Sequence, residues 1–165
     1  MKLRNLWVMR HGLAVDQFDS DFTRQLSDFG KQQAKDVALQ ILDTNESQPQ
    51  DMLVSPFCRT QMTANIVHAT LGLKKPFITE ELLVHFADHR LLGDFLMASE
   101  YENLIIVSHT PIVAHLCRYL LDDADSFYGF ETAQVMKINF KKVDNESSPS
   151  EKKLARMVKC YLPQC

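Results

Sequence analysis

Short apolar runs with the length of buried strands recur along the chain. They cover residues 3–9, 51–54, 77–79 and 104–107, and each is followed by a polar residue. The run Leu-Ile-Ile-Val at 104–107 is the most hydrophobic and is typical of a central parallel strand that is buried on both faces. Residues 135–140 and 154–162 alternate apolar and polar positions, which predicts a half-exposed strand and an edge strand.

Helical repeats lie between these runs. The first follows Ser27 or Asp28, either of which could cap a helix. Its apolar face holds Ala34, Val37, Ala38, Ile41 and Leu42. The second is predicted to begin with Ser55 as cap and Pro56 as first helical residue, and to end near Gly72. It would turn toward the core Cys58, Met62, Ile66 and Ala69.

Two more helices complete the pattern, one through residues 91–96 and one opened by Thr110 as cap and Pro111 as first helical residue. Strands that alternate with helices predict an α/β fold, here a three-layer sandwich with a mostly parallel central sheet and helices on both faces. At 165 residues and 45% hydrophobic content, the chain is expected to form a single domain over 1–165. Residues 72–103 leave room for little more than one helix, so we expect a minimal cap and an open pocket.

Composition and charge exclude several classes of function. The formal net charge is -3 and no extended basic stripe is present, which argues against nucleic-acid binding. No run approaches membrane-spanning length, so we expect a cytoplasmic protein that does not bind membranes. None of the four cysteines has an arginine six positions later, which excludes the thiol phosphatases, and their spacing suits neither zinc nor a disulfide framework. Residues 16–24, 122–128 and 145–153 are polar and predict loops.

Charged and imidazole side chains follow the predicted strands. Arg10, His11 and Gly12 end the first strand, Arg59 falls in the first turn of the second helix, and His109 follows the central strand. The carboxyl ends of parallel strands meet at one edge of a sheet, where open α/β folds bind ligands. Two guanidiniums and two imidazoles at helix N-termini would form an oxyanion cage suited to a phosphoryl group. Each residue taken alone has a plainer interpretation as a surface ion pair or a structural histidine.

A metal site is a competing hypothesis for one segment. His85, Asp88 and His89 have i, i+3, i+4 spacing within the predicted third helix and could ligate a metal. Nothing nearby in the sequence supplies a third or fourth ligand of the usual kind, so we expect no metal.

Three segments together resemble the signature regions of the histidine phosphatase superfamily. They are Arg10-His11-Gly12, the stretch SPFCRTQMTA at 55–64, and Ser-His-Thr-Pro at 108–111, in the family's order. Within that superfamily the chain looks most like the SixA phosphohistidine phosphatases, since RQLSDFG at 24–30 is similar to the segment before their first helix. The resemblance covers essentially the whole chain.

The resemblance implies a mechanism without cofactor or metal. His11 would be the nucleophile that takes the phosphoryl group and then loses it to water. Arg10, Arg59 and His109 would hold the phosphoryl oxygens, with Gly12 also at the substrate. Glu81 is a possible general acid by its order in the chain, although SixA-like members are understood to lack a clear carboxylic acid in that role. A glutamate that opens a helix is also a common dipole partner.

The resemblance also implies a substrate. We expect a phosphohistidine phosphatase that acts on a histidine-phosphorylated relay or phosphotransfer protein in a signalling system. One alternative keeps the chemistry but acts on small phosphate monoesters. A second alternative is a catalytically silent module that only binds phosphoproteins.

Overall fold

The computed structural model describes residues 1–17, 19–122, 129–141 and 155–165, with a six-stranded sheet at its centre. The loops predicted at 123–128 and 145–153 lie outside the described residues. The strands in chain order are β1 (Asn5–Arg10), β2 (Asp51–Val54), β3 (Ile78–Thr79), β4 (Asn103–Ser108), β5 (Val135–Phe140) and β6 (Ala155–Tyr161). Across the sheet their order is β3-β2-β4-β1-β5-β6.

The inner pairings of the sheet are parallel. β4 lies between β1 and β2 and is parallel to both, and β3 adds a further parallel strand beyond β2. β5 and β6 are antiparallel additions on the other side. The mostly parallel sheet and the central, buried β4 are therefore confirmed. Arg10 pairs in register with Ser108, so the residues that follow them, His11 and His109, leave the same edge of the sheet side by side.

In the described parts of the chain, four helices cover the two faces of the sheet. α1 (Asp28–Leu42) and α2 (Cys58–Leu71) pack together on one face, and α3 (His89–Ala98) and α4 (Ile112–Leu121) pack together on the other. Alternate residues of β1 serve the two cores, since Trp7 and Met9 pack with α1 and α2 while Leu6 and Val8 pack with α3 and α4. The three-layer sandwich is confirmed. No helix among the described residues is long and apolar enough to cross a membrane.

β5 is more buried than its alternating pattern predicts. We expected a half-exposed strand, but five of its six residues are buried. Lys137, at a polar position of the repeat, is only 2% exposed. Its ammonium lies 2.6 Å from the carboxylate of Glu46 and 4.9 Å from the centre of the Trp7 ring. The half-exposed prediction was wrong because an ion pair and an aromatic face allow a lysine to be buried.

Two of the predicted helix starts were also wrong. Ser27 caps α1 as expected, accepting a hydrogen bond from the backbone N–H of Gly30. α2, however, begins after Phe57, and α4 begins after Pro111, neither with a side-chain cap. Ser55 and Thr110 are therefore free of the capping role that the sequence suggested.

The buried face of α2 differs from the predicted one. Cys58, Met62 and Ile66 are only half-buried and Ala69 is exposed. The fully buried positions are instead Arg59, Thr60, Thr63, Ala64 and Val67. The helix is thus rotated to point an arginine and two threonines inward, toward the end of β1.

Two glycines bring α1 against the turn that follows β1. The backbone of Gly30 passes so close to Leu13 that an added Cβ would overlap the Leu13 carbonyl oxygen and lie 2.7 Å from its amide nitrogen. An added Cβ on Gly12 would in turn overlap the carbonyl of Gly30. The first turn of α1 and the His11-Gly12 turn are therefore packed backbone to backbone.

Gly30→Ala should destabilise the protein. An alanine usually improves a helix by about 1 kcal/mol over glycine, but here the overlap with backbone atoms should cost about 1–3 kcal/mol. We expect a lower free energy of unfolding in denaturant titrations, with Gln32→Ala on the exposed side of α1 as the control. A Gly30→Ala variant as stable as the wild type would contradict the close packing.

Candidate active site

His11 is held at the end of β1 with its two ring nitrogens in different roles. Nδ1 lies 2.7 Å from the carbonyl oxygen of its neighbour Gly12, and Nε2 accepts a hydrogen bond from Nε of Arg59 at 3.2 Å. A carbonyl can only accept, so Nδ1 carries the proton and Nε2 keeps its lone pair. The ring is 9% exposed. His11 is thus a buried imidazole with a basic nitrogen directed at an arginine.

The electrostatic surroundings keep His11 uncharged. The pKa of the imidazole is lowered from 6.5 to about 4, mainly by burial and also by the positive charges of Arg59, Arg10 and Arg24, against a raising effect of the Gly12 hydrogen bond. The ring is therefore neutral at neutral pH. Arg24 was not predicted as a neighbour of His11, although it belongs to the segment at 24–30 that resembles the SixA proteins.

Arg59 reaches His11 from the first turn of α2. Its guanidinium packs 4.9 Å from the centre of the Phe57 ring and is 6% exposed. Nη1 donates to the backbone oxygen of Asp21 at 2.7 Å and to its carboxylate at 3.1 Å, and Nη2 lies 3.1 Å from the other carboxylate oxygen. Asp21 belongs to the polar 16–24 segment, which the sequence predicts to be a loop. The structure places its carboxylate on the guanidinium fork.

His109 enters the site from the end of β4. Its ring is 5.3 Å from that of His11, centre to centre, and Nε2 lies 2.8 Å from the hydroxyl of Ser55. Nδ1 is buried and has no hydrogen-bond partner among the described residues. Burial, followed by the charges of the neighbouring groups, lowers its pKa to about 2, so this imidazole is neutral as well. Ser55, predicted as a helix cap, serves here to fix His109.

Arg10 supplies the second guanidinium. Its Nη1 donates to the backbone oxygen of Phe130 at 2.7 Å, while Nε is buried without a partner among the described residues. Burial lowers the pKa of Arg10, and the charge of Arg59 acts in the same direction. Two arginines whose charges repel each other and lower the pKa of neighbouring imidazoles form a region that favours an anion.

Threonines of α2 hold the His11-Gly12 turn in place. The hydroxyl of Thr63 donates to the Arg59 carbonyl at 2.8 Å and accepts from the Gly12 amide at 3.1 Å. The next amide, that of Leu13, donates to the side chain of Gln33 at 3.0 Å. The buried polar face of α2 therefore links the arginine and the histidine through one hydroxyl.

The other candidates lie apart from this cluster or at its border. Glu81 opens a 3-10 turn (Glu81–Leu83) with an exposed side chain. The proposed metal ligands face different neighbours, since His85 packs on His109, Asp88 caps α3, and His89 packs on His115. Contrary to the prediction, His85 and Asp88 precede α3 instead of lying within it. Among the described residues no three His, Cys, Asp or Glu side chains are grouped to hold a metal ion.

The cluster of Arg10, His11, Arg59 and His109 has a definite chemical capacity. The guanidiniums of Arg10 and Arg59 and the buried imidazole N–H of His109 can donate to oxygens. They lie next to Nε2 of His11, which is unprotonated and carries an electron pair. Such a set can bind a tetrahedral oxyanion and attack its central atom. The structure thus brings together the four residues that the sequence singled out.

The fold is shared with solved phosphatase structures. One, the protein histidine phosphatase SixA complexed with tungstate, matches with a TM-score of 0.83 and 22% identity, over 96% of this chain and 97% of that chain. A SixA-type structure from Agrobacterium tumefaciens matches with a TM-score of 0.76 and 17% identity, over 97% and 98% of the two chains. The chain therefore has the fold of these two SixA structures.

The sequence of one relative shows the family to which the chain belongs. The phosphohistidine phosphatase SixA homolog of Haemophilus influenzae is 31% identical over an alignment of 143 positions, which covers 80% of this chain and 87% of that protein. The chain belongs to the SixA family and is a phosphatase. It matches no protein-family model.

The His11 ring should titrate far below a free histidine. Its pKa of about 4 means that the ring stays neutral as the pH falls through 6.5 and is protonated only in stronger acid. We expect NMR titration of the ring nitrogens, assigned by loss of the signal in His11→Ala, to show this. A midpoint near 6.5 in the folded protein would contradict the buried, arginine-flanked environment. Because the unfolded chain takes up this proton first, the protein should also lose stability as the pH falls from 6.5 toward 4.

Proposed function

We propose that the protein removes the phosphoryl group from phosphohistidine on a partner protein through a covalent phosphate on His11. The observation that carries the proposal is the hydrogen-bond pattern of His11, which keeps a proton on Nδ1 and an electron pair on Nε2. A neutral imidazole with its other nitrogen fixed by an acceptor has the form that a nucleophile requires. The name of the Haemophilus influenzae relative supports the choice of substrate.

In the first step Nε2 of His11 attacks phosphorus and the bond to the leaving nitrogen breaks. Nε2 accepts from Arg59 in the structure, so the guanidinium is already next to the nitrogen that attacks. Arg10, Arg59 and the Nδ1–H of His109 would bind the three equatorial oxygens. Donors held in advance by the protein lower the barrier because they need no reorganisation as charge is redistributed.

In the second step water attacks the phosphate on His11 and the imidazole leaves. Nδ1 of His11 still donates to the carbonyl of Gly12, which stabilises the ring while it carries the phosphoryl group. The Ser55 hydroxyl can donate to Nε2 of His109, which leaves the hydrogen on Nδ1 available for a phosphoryl oxygen. No metal or cofactor takes part in these steps.

The small cap supports a protein substrate. Between α2 and β4 the chain forms only a two-residue strand, a 3-10 turn and α3. A site with so little cover can receive a phosphorylated side chain that another protein presents, and would enclose a free sugar phosphate poorly. We propose a phosphotransfer or relay protein as partner and the cytoplasm as location. The free thiols of Cys58, Cys117, Cys160 and Cys165 support a reducing compartment.

Direct comparison of substrates tests the proposal. The purified protein is incubated with a histidine-phosphorylated phosphotransfer domain and, separately, with sugar and aryl phosphates. We expect kcat/KM for the phosphohistidine protein to exceed that for a sugar phosphate by at least about 100-fold, because imidazole leaves far more easily than an alkoxide. Faster cleavage of the sugar phosphate would make the protein a small-ester phosphatase. Binding of the phosphoprotein without turnover would make it a silent binding module.

Glu81→Gln should change phosphohistidine hydrolysis less than threefold. The carboxylate is exposed at the start of a 3-10 turn, and the imidazole leaving group has a pKa of only about 6.5 as its conjugate acid. Initial rates with the phosphotransfer domain measure the effect, and Glu100→Gln on the exposed surface is the matched control. A fall of 100-fold or more would identify Glu81 as a proton donor.

A further inference from the structure

His85 lies at the border of the phosphoryl site, in a segment that the backbone holds firmly. The ring centres of His85 and His109 are 5.6 Å apart, and Phe57 packs against both rings, at 5.3 Å from His85 and 4.9 Å from His109. Phe86 covers another side of the His85 ring at 4.9 Å. The half-buried imidazole thus packs against three rings and lies next to one of the groups that would hold the phosphate.

The backbone before His85 is tied to the sheet edge that carries the site. The amide of Glu80 donates to the carbonyl of Val54 at the end of β2, at 2.9 Å. The hydroxyl of Ser108 at the end of β4 donates to the carbonyl of Leu83 at 2.6 Å, and Leu83 itself is fully buried. His85 therefore keeps its distance from His109 through fixed backbone contacts on two neighbouring strands.

One ring nitrogen of His85 is left without a partner by the described residues. Its Nδ1 is buried and has no hydrogen-bond partner among the described residues. A buried polar atom without a partner costs free energy, which is tolerated most often where a ligand or reaction uses the atom. Of the three rings packed around it, only that of His109 can titrate, and His109 is neutral.

We propose that His85 is the proton donor to the leaving group. This proposal rests on the proposed function only for the site of attack on His11. Imidazole is the side chain that exchanges a proton near neutral pH, which suits a group that must donate and then recover one. Neither glutamate of the preceding turn is as well placed, because Glu81 is exposed and the carboxylate of Glu80 accepts from the Leu82 amide.

His85 donates one proton in the first step and takes one back in the second. As Nε2 of His11 bonds to phosphorus, the bond from phosphorus to the leaving atom breaks, and that atom keeps the electron pair and takes the proton of protonated His85. Neutral His85 then removes a proton from the attacking water as the bond between phosphorus and His11 breaks. The proton returns to His85, and inorganic phosphate and neutral His11 are restored. His85 thus acts as the general acid in the first step and as the general base in the second, because the second step is the reverse of the first with water in place of the leaving group.

Leaving-group dependence in His85→Asn tests this proposal. Asparagine keeps a polar group of similar reach but cannot supply a proton. We expect kcat/KM to fall by on the order of 100-fold for phenyl phosphate, whose leaving group is basic, and by less than about tenfold for 4-nitrophenyl phosphate. The decline of the wild-type rate at alkaline pH should disappear in the variant. His89→Asn, which removes an imidazole that packs on His115 and Tyr119, is the matched control and should change neither rate.

Chemical rescue distinguishes proton transfer from a structural role. In His85→Ala, added imidazole should restore phenyl phosphate hydrolysis by tenfold or more and leave the 4-nitrophenyl phosphate rate nearly unchanged. Equal losses for both substrates in His85→Asn with an unchanged pH profile, or no rescue of a folded His85→Ala, would overturn the assignment. Both esters report phosphatase chemistry alone, so these results stand apart from whether a phosphohistidine protein is the substrate.

Discussion

Replacement of His11 by alanine should abolish turnover. The variant loses the imidazole whose Nδ1 contacts Gly12 and whose Nε2 contacts Arg59, and the remaining cage can bind phosphate but cannot take it up covalently. Loss of a nucleophile typically costs on the order of 10⁴-fold or more in kcat. The fold should survive, because the side chain belongs to neither hydrophobic core. Thermal unfolding of the variant checks that point.

Trapping of the covalent intermediate is a second test that His11 is the nucleophile. Wild-type protein quenched during turnover should carry phosphate that is stable in base and lost in acid, as expected for a phosphoramidate. His11→Ala treated identically should carry none. Residual activity above a trace in the variant, or an acid-stable adduct on the wild type, would show that another residue is the nucleophile.

Loss of the Arg59 guanidinium should have the second largest effect. Arg59→Ala is expected to cost about 3 kcal/mol of transition-state stabilisation, comparable with the loss of one oxyanion donor. Arg59→Lys should recover little, because a single ammonium cannot reproduce the Nε contact to His11 and the fork that binds Asp21 at the same time. kcat/KM for the phosphohistidine protein measures both changes.

An exposed arginine provides the control for charge alone. Arg90→Ala on α3 removes the same positive charge from the surface and should leave kcat/KM within about twofold. If Arg59→Lys were fully active, the role of Arg59 would be limited to long-range attraction of the substrate. A pKa of His11 that rises in Arg59→Ala, followed by NMR, would independently show the contact between the two side chains.

Periodicity and motif order predicted the strands, the helices and the four residues of the cage, because each of these depends on local sequence. The sandwich places polar residues after β1 and β4 at one edge, so knowing the strand ends was enough to expect His11 and His109 together. The buried face of α2 could not be predicted in this way. Thr60 and Thr63 are buried because their hydroxyls bond to backbone carbonyls and the Gly12 amide. Hydrophobic periodicity does not predict such hydrogen bonds.

Long-range contacts explain the other errors. Lys137 is buried because Glu46, 91 positions away in sequence, lies beside it. Ser55 bonds to His109 instead of capping a helix, and Asp21 pairs with Arg59, across separations of 54 and 38 positions. His85 was considered as a metal ligand because Asp88 and His89 lie close to it in sequence. In the structure, however, the rings that contact it include those of Phe57 and His109. None of these partners can be identified from spacing along the chain.

The carboxylate of Asp21 makes phosphate binding an exchange of one anion for another. Because the resting Arg59 fork is occupied by a group of the same chain, at high local concentration, an incoming phosphoryl group must displace it. Asp21 is 46% exposed, so its carboxylate can be hydrated when it leaves the fork. After hydrolysis the carboxylate can return as inorganic phosphate departs, which shortens the lifetime of the product complex. We therefore expect inorganic phosphate to meet the same competition from Asp21 and to inhibit the enzyme only weakly.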